Sequence, residues 1–268
     1  MIDLPSSSAA MTALFMGTGS SVGVPMIGCS CPVCLSPDRR NKRTRSSILV
    51  SAGGKNLLID TAPDLRLQAL REGLSRIDAV VYTHAHADHV LGLDELRTFN
   101  FIMQEEIPIY APPKVLDRIR AMFSYAFSDV NREGVTRPRL VPKELPGPME
   151  ILGIPVQPFL VEHGPVMNTA LRVGDLVYLT DCNAVPAEGK RVMKGASAMI
   201  VGAVRYEPHE SHFGLAQAVA EIEEAGPARG YITHLSHRMD HATLEAELPP
   251  GIRPAYDGLR IQVHCPLP

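Results

Sequence analysis

No apolar stretch in these 268 residues approaches the roughly 20 needed to cross a bilayer, so the sequence predicts no membrane span. An excess of basic charge is missing too. The 26 Lys and Arg stand against 29 Asp and Glu for a net charge of −3, which argues against a chain built for non-specific nucleic-acid binding. The opening MIDLPSSSAA has neither the basic nor the apolar segment of a secretory signal, and the expected location is cytoplasmic. Cysteine is scarce, with five in all, and an odd, clustered set is a poor disulfide framework. There is no internal repeat and no low-complexity linker. A chain that is 45% hydrophobic and 21% charged is an ordinary globular protein, and it divides into a polar tail, residues 1–11, and one domain, residues 12–268.

What is present reads as strands interleaved with helices. TALFMGTGSS is a strand entering a glycine-rich turn, and SSILVSA and KNLLID are apolar runs joined by GGK, a hairpin signal. PDLRLQALREG and GLAQAVAEIEEAG are helices closed by glycine. IDAVVYTHAHADH is a buried strand running into a loop, with VLGLDELR continuing as helix. Residues 128–150, rich in Pro, Arg and Glu, read as a long surface loop, and residues 98–150 as the part that shapes specificity. The pattern suggests helices outside packed sheets. GTGSSVG is not a dinucleotide fingerprint, since its spacing is not G-x-G-x-x-G; it reads as a tight turn whose backbone approaches a phosphate. The basic run Asp38–Ser46 reads as a solvated loop, with steering of an anionic substrate as the alternative.

HAHADH carries the chemistry. His84 and His86 are two residues apart, so on an extended segment their rings share a side, and Asp88 and His89 follow at a helix start. Three imidazoles and a carboxylate on one turn suit Zn, Mn or Fe and exceed what one tetrahedral ion with an open position needs. Two ions are therefore expected, with further ligands downstream. His163, Asp181 and His234 each directly follow an apolar strand, where different strands deliver side chains to one point. Cys29, Cys31 and Cys34, in GCSCPVC, allow a disulfide with a spare thiol, redox chemistry, or a metal lacking a fourth ligand. His237, three residues beyond His234, would complete a closed Cys3His set of the structural-zinc type.

THAHADH, followed in order by His163, Asp181 and His234, resembles the metallo-β-lactamase superfamily. GTGSSVGVP, LLIDTAPDLR, SHFGLAQA and THLSH resemble, within it, the PhnP-type phosphodiesterases, over nearly the whole chain. The resemblance implies an α+β fold, the αββα sandwich of two facing mixed sheets with outer helices. It also implies one metal on His84, His86 and His163, a second on Asp88, His89 and His234, and Asp181 between them. Manganese is the favoured catalytic pair, zinc is also acceptable, and one further zinc is structural on Cys29, Cys31, Cys34 and His237. Asp60 would orient the histidine loop, with Asp257 in a similar part. His212 would be the general acid, or a cation facing the scissile phosphate, and His209 a phosphate contact. A metal-bridging hydroxide would attack small, cyclic phosphodiesters such as ribose 1,2-cyclic phosphate or 2′,3′-cyclic nucleotides. The resemblance implies a homodimer, and no stable nucleic-acid or membrane partner is expected. The alternatives are a tRNA 3′-end endonuclease, a thioesterase or glyoxalase-like hydrolase, and a binding or sensing protein that retains metal without turnover.

Overall fold

The structure is a computed structural model describing residues 9–128 and 136–265. Its strands are β1 (Ala9–Gly17), β2 (Ser47–Ala52), β3 (Lys55–Ile59), β4 (Ala79–Val81), β5 (Ile107–Ala111) and β6 (Leu140–Glu144). They continue as β7 (Met149–Ile151), β8 (Ile154–His163), β9 (Val166–Val173), β10 (Leu176–Leu179), β11 (Ala198–Gly202), β12 (Arg229–Thr233), β13 (Ile252–Pro254) and β14 (Arg260–Cys265). These form two seven-stranded sheets, ordered β14-β1-β2-β3-β4-β5-β6 and β13-β12-β11-β10-β9-β8-β7. Each is mixed in the same way. The pairs from β14 to β3 are antiparallel and those from β3 to β6 parallel, while β7 to β10 is antiparallel and β10 to β13 parallel.

Alternation along each strand explains the layering. In β3, Leu57 and Ile59 join the core between the sheets with Phe15, Val156, Leu171, Tyr178 and Ile200. Leu58 points the other way, into a layer with Leu65, Leu96, Phe99, Leu116 and Ile119 from helices Leu65–Glu72, Leu96–Met103 and Pro113–Met122. The second sheet repeats the arrangement: Leu176 and Tyr178 face inward, while Val177 and Leu179 meet Ala218, Ile222 and Leu244 on the outer helices. Strands buried on both faces are apolar without a break, which is why they read as continuous runs. The result is the expected αββα sandwich with its main core between the sheets.

Three expectations need correction. The segment read as a loop over 128–150 contains β6 and the start of β7, each at the edge of its sheet, while residues 129–135 of it lie outside those described. An edge strand tolerates Pro142 and exposed charge, so its composition imitates a loop. The tail drawn over residues 1–11 already holds the start of β1 at Ala9. The helix begun at Ala87 does not continue through LGLDELR but stops at Val90; a 3-10 turn, Leu93–Glu95, precedes the next helix. Gly92 marks the break, where an added Cβ would lie 2.1 Å from the Ala62 carbonyl oxygen. No described helix is long and apolar enough to cross a membrane.

Candidate metal centre

The C-terminal ends of five strands meet at one edge of the sandwich. Asp60 follows β3, His84 lies just beyond β4, His163 ends β8, Asp181 lies two residues past β10, and His234 follows β12. Parallel pairing of β3 with β4 brings Asp60 to the start of the histidine loop, where the Thr83 N–H donates to its Oδ1 at 2.8 Å. Two of these residues are held in the left-handed region, Asp60 at φ 62° and His234 at φ 58°. For non-glycine residues this costs on the order of 1–3 kcal/mol each, and it turns both side chains off the strand direction into the site.

Asp181 lies at the centre. Its carboxylate oxygens stand 3.7 Å from His84 Nε2, 3.4 Å from His89 Nε2 and 3.4 Å from His234 Nδ1. His89 Nε2 is also 3.5 Å from Asp88 Oδ2. Ligand atoms of Asp88, His89, Asp181 and His234 all lie within 4.8 Å of one another, as do those of His84, His86 and Asp181. His163 groups with Asp181 and His212 by the same measure, although its ring is also 5.1 Å from that of His86 and 5.9 Å from that of His84. All seven anticipated ligands are therefore together, with Asp181 shared between subsets.

The residues behind the ligands fix which nitrogen faces inward. His89 Nδ1 donates to Asp60 Oδ2 at 2.7 Å, and His163 Nδ1 donates to the Ser211 carbonyl at 2.6 Å. The Thr83 hydroxyl donates to Asp60 Oδ2, so it accepts from His84 Nδ1 at 3.0 Å. Ser46 donates to the Gly19 carbonyl and so accepts from His234 Nδ1 at 3.3 Å. With Nδ1–H engaged, His84, His89 and His163 each present the Nε2 lone pair to the cluster, whereas His234 Nδ1 lies between the Ser46 hydroxyl and the Asp181 carboxylate. Asp60 acts as expected, holding both His89 and the Thr83 backbone N–H. Thr83, Ser46 and the Ser211 carbonyl were not anticipated from sequence.

The cluster fits divalent cations. His84 Nε2, His89 Nε2, His234 Nε2, Asp88 Oδ2 and Asp181 Oδ1 are buried without a hydrogen-bond partner, a costly state for five converging polar atoms unless a cation takes their lone pairs. Carboxylates of Asp60, Asp88 and Asp181 are gathered in the same interior. Burial opposes charge on His89, yet Asp181 and Asp60 raise its pKa well above the usual histidine value, the sign of field a cation would find attractive. Burial likewise opposes charge on Asp181, but His234 and His89 hold its carboxyl well below the usual range.

His212 stands beside this group, its ring 4.8 Å from that of His163 and stacked at 5.2 Å on that of His234. Burial, against the pull of Asp181, lowers its pKa to about 4, so near neutral pH it is an uncharged N–H donor and not a standing cation. His209 is exposed and 5.3 Å from His212 between ring centres, outside the ligand cluster.

The cysteine cluster closes as anticipated. Ligand atoms of Cys29, Cys31, Cys34 and His237 lie within 4.8 Å of one another, and His237 Nδ1 is 3.3 Å from Cys29 Sγ and 3.4 Å from Cys31 Sγ. Zinc bonds of ~2.3 Å to sulfur and ~2.0 Å to nitrogen put tetrahedral S and N ligand atoms about 3.5 Å apart. The Cys34 N–H, then His237, lowers the Cys31 pKa to about 6, toward the thiolate a metal needs. Among the described residues the apolar cluster here is Val24, Val33 and Cys34 with Met26, Cys29 and Cys31 partly buried against it, too few to order the loop by packing. The loop is strapped to the edge that carries the histidine cluster: Leu235 N–H donates to Thr18 O at 2.9 Å, and Ser20 N–H to Leu235 O at 3.2 Å.

Three sequence readings find other roles. The glycines of GTGSSVG permit close backbone approach within the protein, since a Cβ on Gly19 would meet the Arg43 carbonyl at 2.8 Å. The basic run is not a solvated loop. Arg43 is 2% exposed and donates to Ser236 O at 3.0 Å and Asn41 Oδ1 at 3.0 Å, while Arg40 pairs with Asp38 and Glu245. Asp257 does not touch the histidine loop; it accepts from the Thr18 and Thr44 backbone N–H groups, each at 2.9 Å, and braces the strap.

Similarity to known proteins agrees with this geometry. The beta-lactamase superfamily domain matches residues 55–235. The chain is 38% identical over 255 residues to an octanoyltransferase of Porphyromonas gingivalis, covering 93% of this chain and 51% of that protein. It is 37% identical over 139 residues to coenzyme PQQ synthesis protein B of Methylobacterium radiotolerans, covering 47% of this chain and 44% of that one. The chain thus spans about half the length of these curated relatives. A solved structure described as a new diphosphatase from the PhnP family superposes with a TM-score of 0.89 at 36% identity, over 96% of this chain and 100% of that one. With the superfamily domain spanning its histidine loop and a full-length PhnP-family likeness, this chain belongs to the beta-lactamase superfamily and, within it, to the PhnP family.

Proposed function

We propose that this metallo-β-lactamase-fold hydrolase cleaves small, cyclic phosphodiesters, and that the stacked His212 beside the ligand cluster is the observation that carries the reading. His84, His86 and His163 would hold one divalent cation and Asp88, His89 and His234 the other, with Asp181 shared. Manganese is favoured for this pair, and Cys29, Cys31, Cys34 and His237 would hold a structural zinc. When bound, such a pair supplies a water acidic enough to act as nucleophile near neutral pH and neutralises charge on phosphoryl oxygens. The chain does the rest. Asp60, Thr83 and Ser211 hold three imidazoles in one tautomer, so those ligands do not have to rotate during the reaction. His212, neutral in the free protein, offers its N–H to a phosphoryl or leaving oxygen and takes on positive character only as the anion arrives.

The PhnP-family relative is described as a diphosphatase, which favours cleavage of a phosphoanhydride as a second reading. A substrate panel separates these. It sets a 2′,3′-cyclic nucleotide and bis(p-nitrophenyl) phosphate beside a diphosphate, a tRNA precursor and a thioester, all with added manganese. The cyclic diester should be the best substrate. Faster cleavage of the diphosphate selects the second reading, faster cleavage of tRNA or thioester overturns both, and tight metal binding with no turnover selects a binding protein.

A further inference from the structure

Cys31, Pro32, Val33 and Cys34 form a Cys-x-x-Cys motif at the start of a helix, a spacing suited to thiol–disulfide chemistry. Cys31 caps the short helix Pro32–Leu35, and its Sγ accepts the Cys34 N–H at 3.4 Å. Cys34 is buried, its Sγ accepting the Met26 N–H at 3.3 Å, whereas Cys29 and Cys31 are partly exposed. All three sulfurs lie within 4.8 Å of one another and of a His237 ring nitrogen. Thiols this close can join in a disulfide, and a tetrahedral metal on the same sulfurs would then lose half of its ligands. Cys29 is the poorer partner for Cys31, because a Cys-x-Cys bridge closes a smaller and more strained ring. The cluster is also placed to pass such a loss to the histidine centre. His237 is three residues beyond His234, whose backbone is held at φ 58°. The loop that carries the cysteines begins at Gly19, whose carbonyl accepts from Ser46, and Ser46 contacts His234 Nδ1 at 3.3 Å. With so little apolar packing of its own, this loop depends on the metal cluster for its order.

We infer that Cys31 and Cys34 are a redox pair, whose oxidation by hydrogen peroxide ejects the zinc and loosens His234 in the histidine centre. The Cys31 thiolate attacks a peroxide oxygen, forming a sulfenic acid and releasing hydroxide. The Cys34 thiolate then attacks the Cys31 sulfur, forming the disulfide and releasing a second hydroxide. Both hydroxides take protons from solvent, so two electrons pass from the sulfurs to the peroxide, which leaves as two waters. Zinc, left with Cys29 and His237 alone, dissociates. A dithiol reverses the step, giving two electrons and two protons to the disulfide and becoming a disulfide itself, and added zinc closes the cluster again. The switch rests on the metal assignments and not on the choice of substrate.

Oxidation of the full zinc-loaded chain tests it. The protein is treated with hydrogen peroxide before any manganese is added, the peroxide is removed, and three quantities are read. Zinc freed to a colorimetric chelator should reach about one per chain. By mass, the peptide carrying the three cysteines should lose two hydrogens and alkylate at Cys29 alone. Manganese should then bind the histidine centre about tenfold more weakly by calorimetry, and dithiothreitol with zinc should restore its affinity. Zinc retained through oxidation, or alkylation at Cys34 in place of Cys29, overturns the pair. Zinc release with manganese affinity unchanged, or a weakening that the dithiol does not reverse, overturns the switch. If no phosphodiester is hydrolysed yet oxidation still weakens manganese binding reversibly, the proposed reaction falls and the switch stands.

Discussion

At the scale of single residues, the metal centre depends on hydrogen-bond partners that are not ligands. Asp60 accepts from His89 and from the Thr83 N–H and hydroxyl in a fully buried setting, so its loss frees two ligand-bearing positions at once. Asp60→Ala should weaken catalytic metal affinity by about 10- to 100-fold, measured by metal titration of the purified variant. His212→Ala should instead lower kcat on a phosphodiester by about 10²- to 10⁴-fold with metal content unchanged; unaltered turnover removes it from the chemistry. Asp78 makes a separate prediction about pH. Burial opposes its charge, yet Arg76, the Asn56 N–H and Lys55 together hold its carboxyl below the usual range. A folded value below the unfolded one gives stability that is fully present above about pH 4 and is lost as pH falls through the folded value. Asp78→Asn should therefore be less stable than wild type at pH 7, with the gap closing on acidification in denaturant titrations. A constant gap from pH 7 to the acid limit contradicts this.

At the scale of elements, the recurring device is a buried strand that ends on a functional residue. β4, β8, β10 and β12 could be picked out by their apolar runs, and His84, His163, Asp181 and His234 by standing directly after them. What could not be read was the backing. Ser46 and Ser211 reach their histidines through tertiary contacts across more than 40 positions of sequence, and Thr83, adjacent to His84, is aimed by its bonds to distant Asp60, so no local pattern marks them. The left-handed backbone at Asp60 and His234 is invisible for the same reason, since neither is a glycine. β6 and β7 were missed because edge strands carry proline and charge. The basic run was misread because the donors of buried Arg43 are satisfied by carbonyl and amide acceptors that the fold supplies, among them Ser236 O. The cluster of Cys29, Cys31, Cys34 and His237 is the element with the clearest test. His237→Ala should lose one tightly held zinc per chain; for a chain of this size ~2 kcal/mol lost appears as a fall on the order of 5 °C in Tm. Full zinc content with an unchanged Tm would show that the cysteines serve something else.

At the scale of the whole molecule, two sheets with the same sequence of antiparallel and parallel pairings meet so that both contribute ligands to one edge. The first gives His84, His86, Asp88 and His89, the second His163, Asp181 and His234. Neither sheet alone has a complete set, so the metals should couple the two halves. Chelation should lower the unfolding midpoint of the entire chain in one transition, since ligands that bind only the folded state stabilise it by mass action. The most direct test of the central claim is a metal titration of activity. Protein stripped of its exchangeable metals, with the zinc of the cysteine cluster retained, is reloaded with manganese while hydrolysis of bis(p-nitrophenyl) phosphate is followed. Activity should rise to saturation at two equivalents per chain, and saturation at one equivalent, or turnover in the stripped protein, would contradict a dinuclear phosphodiesterase.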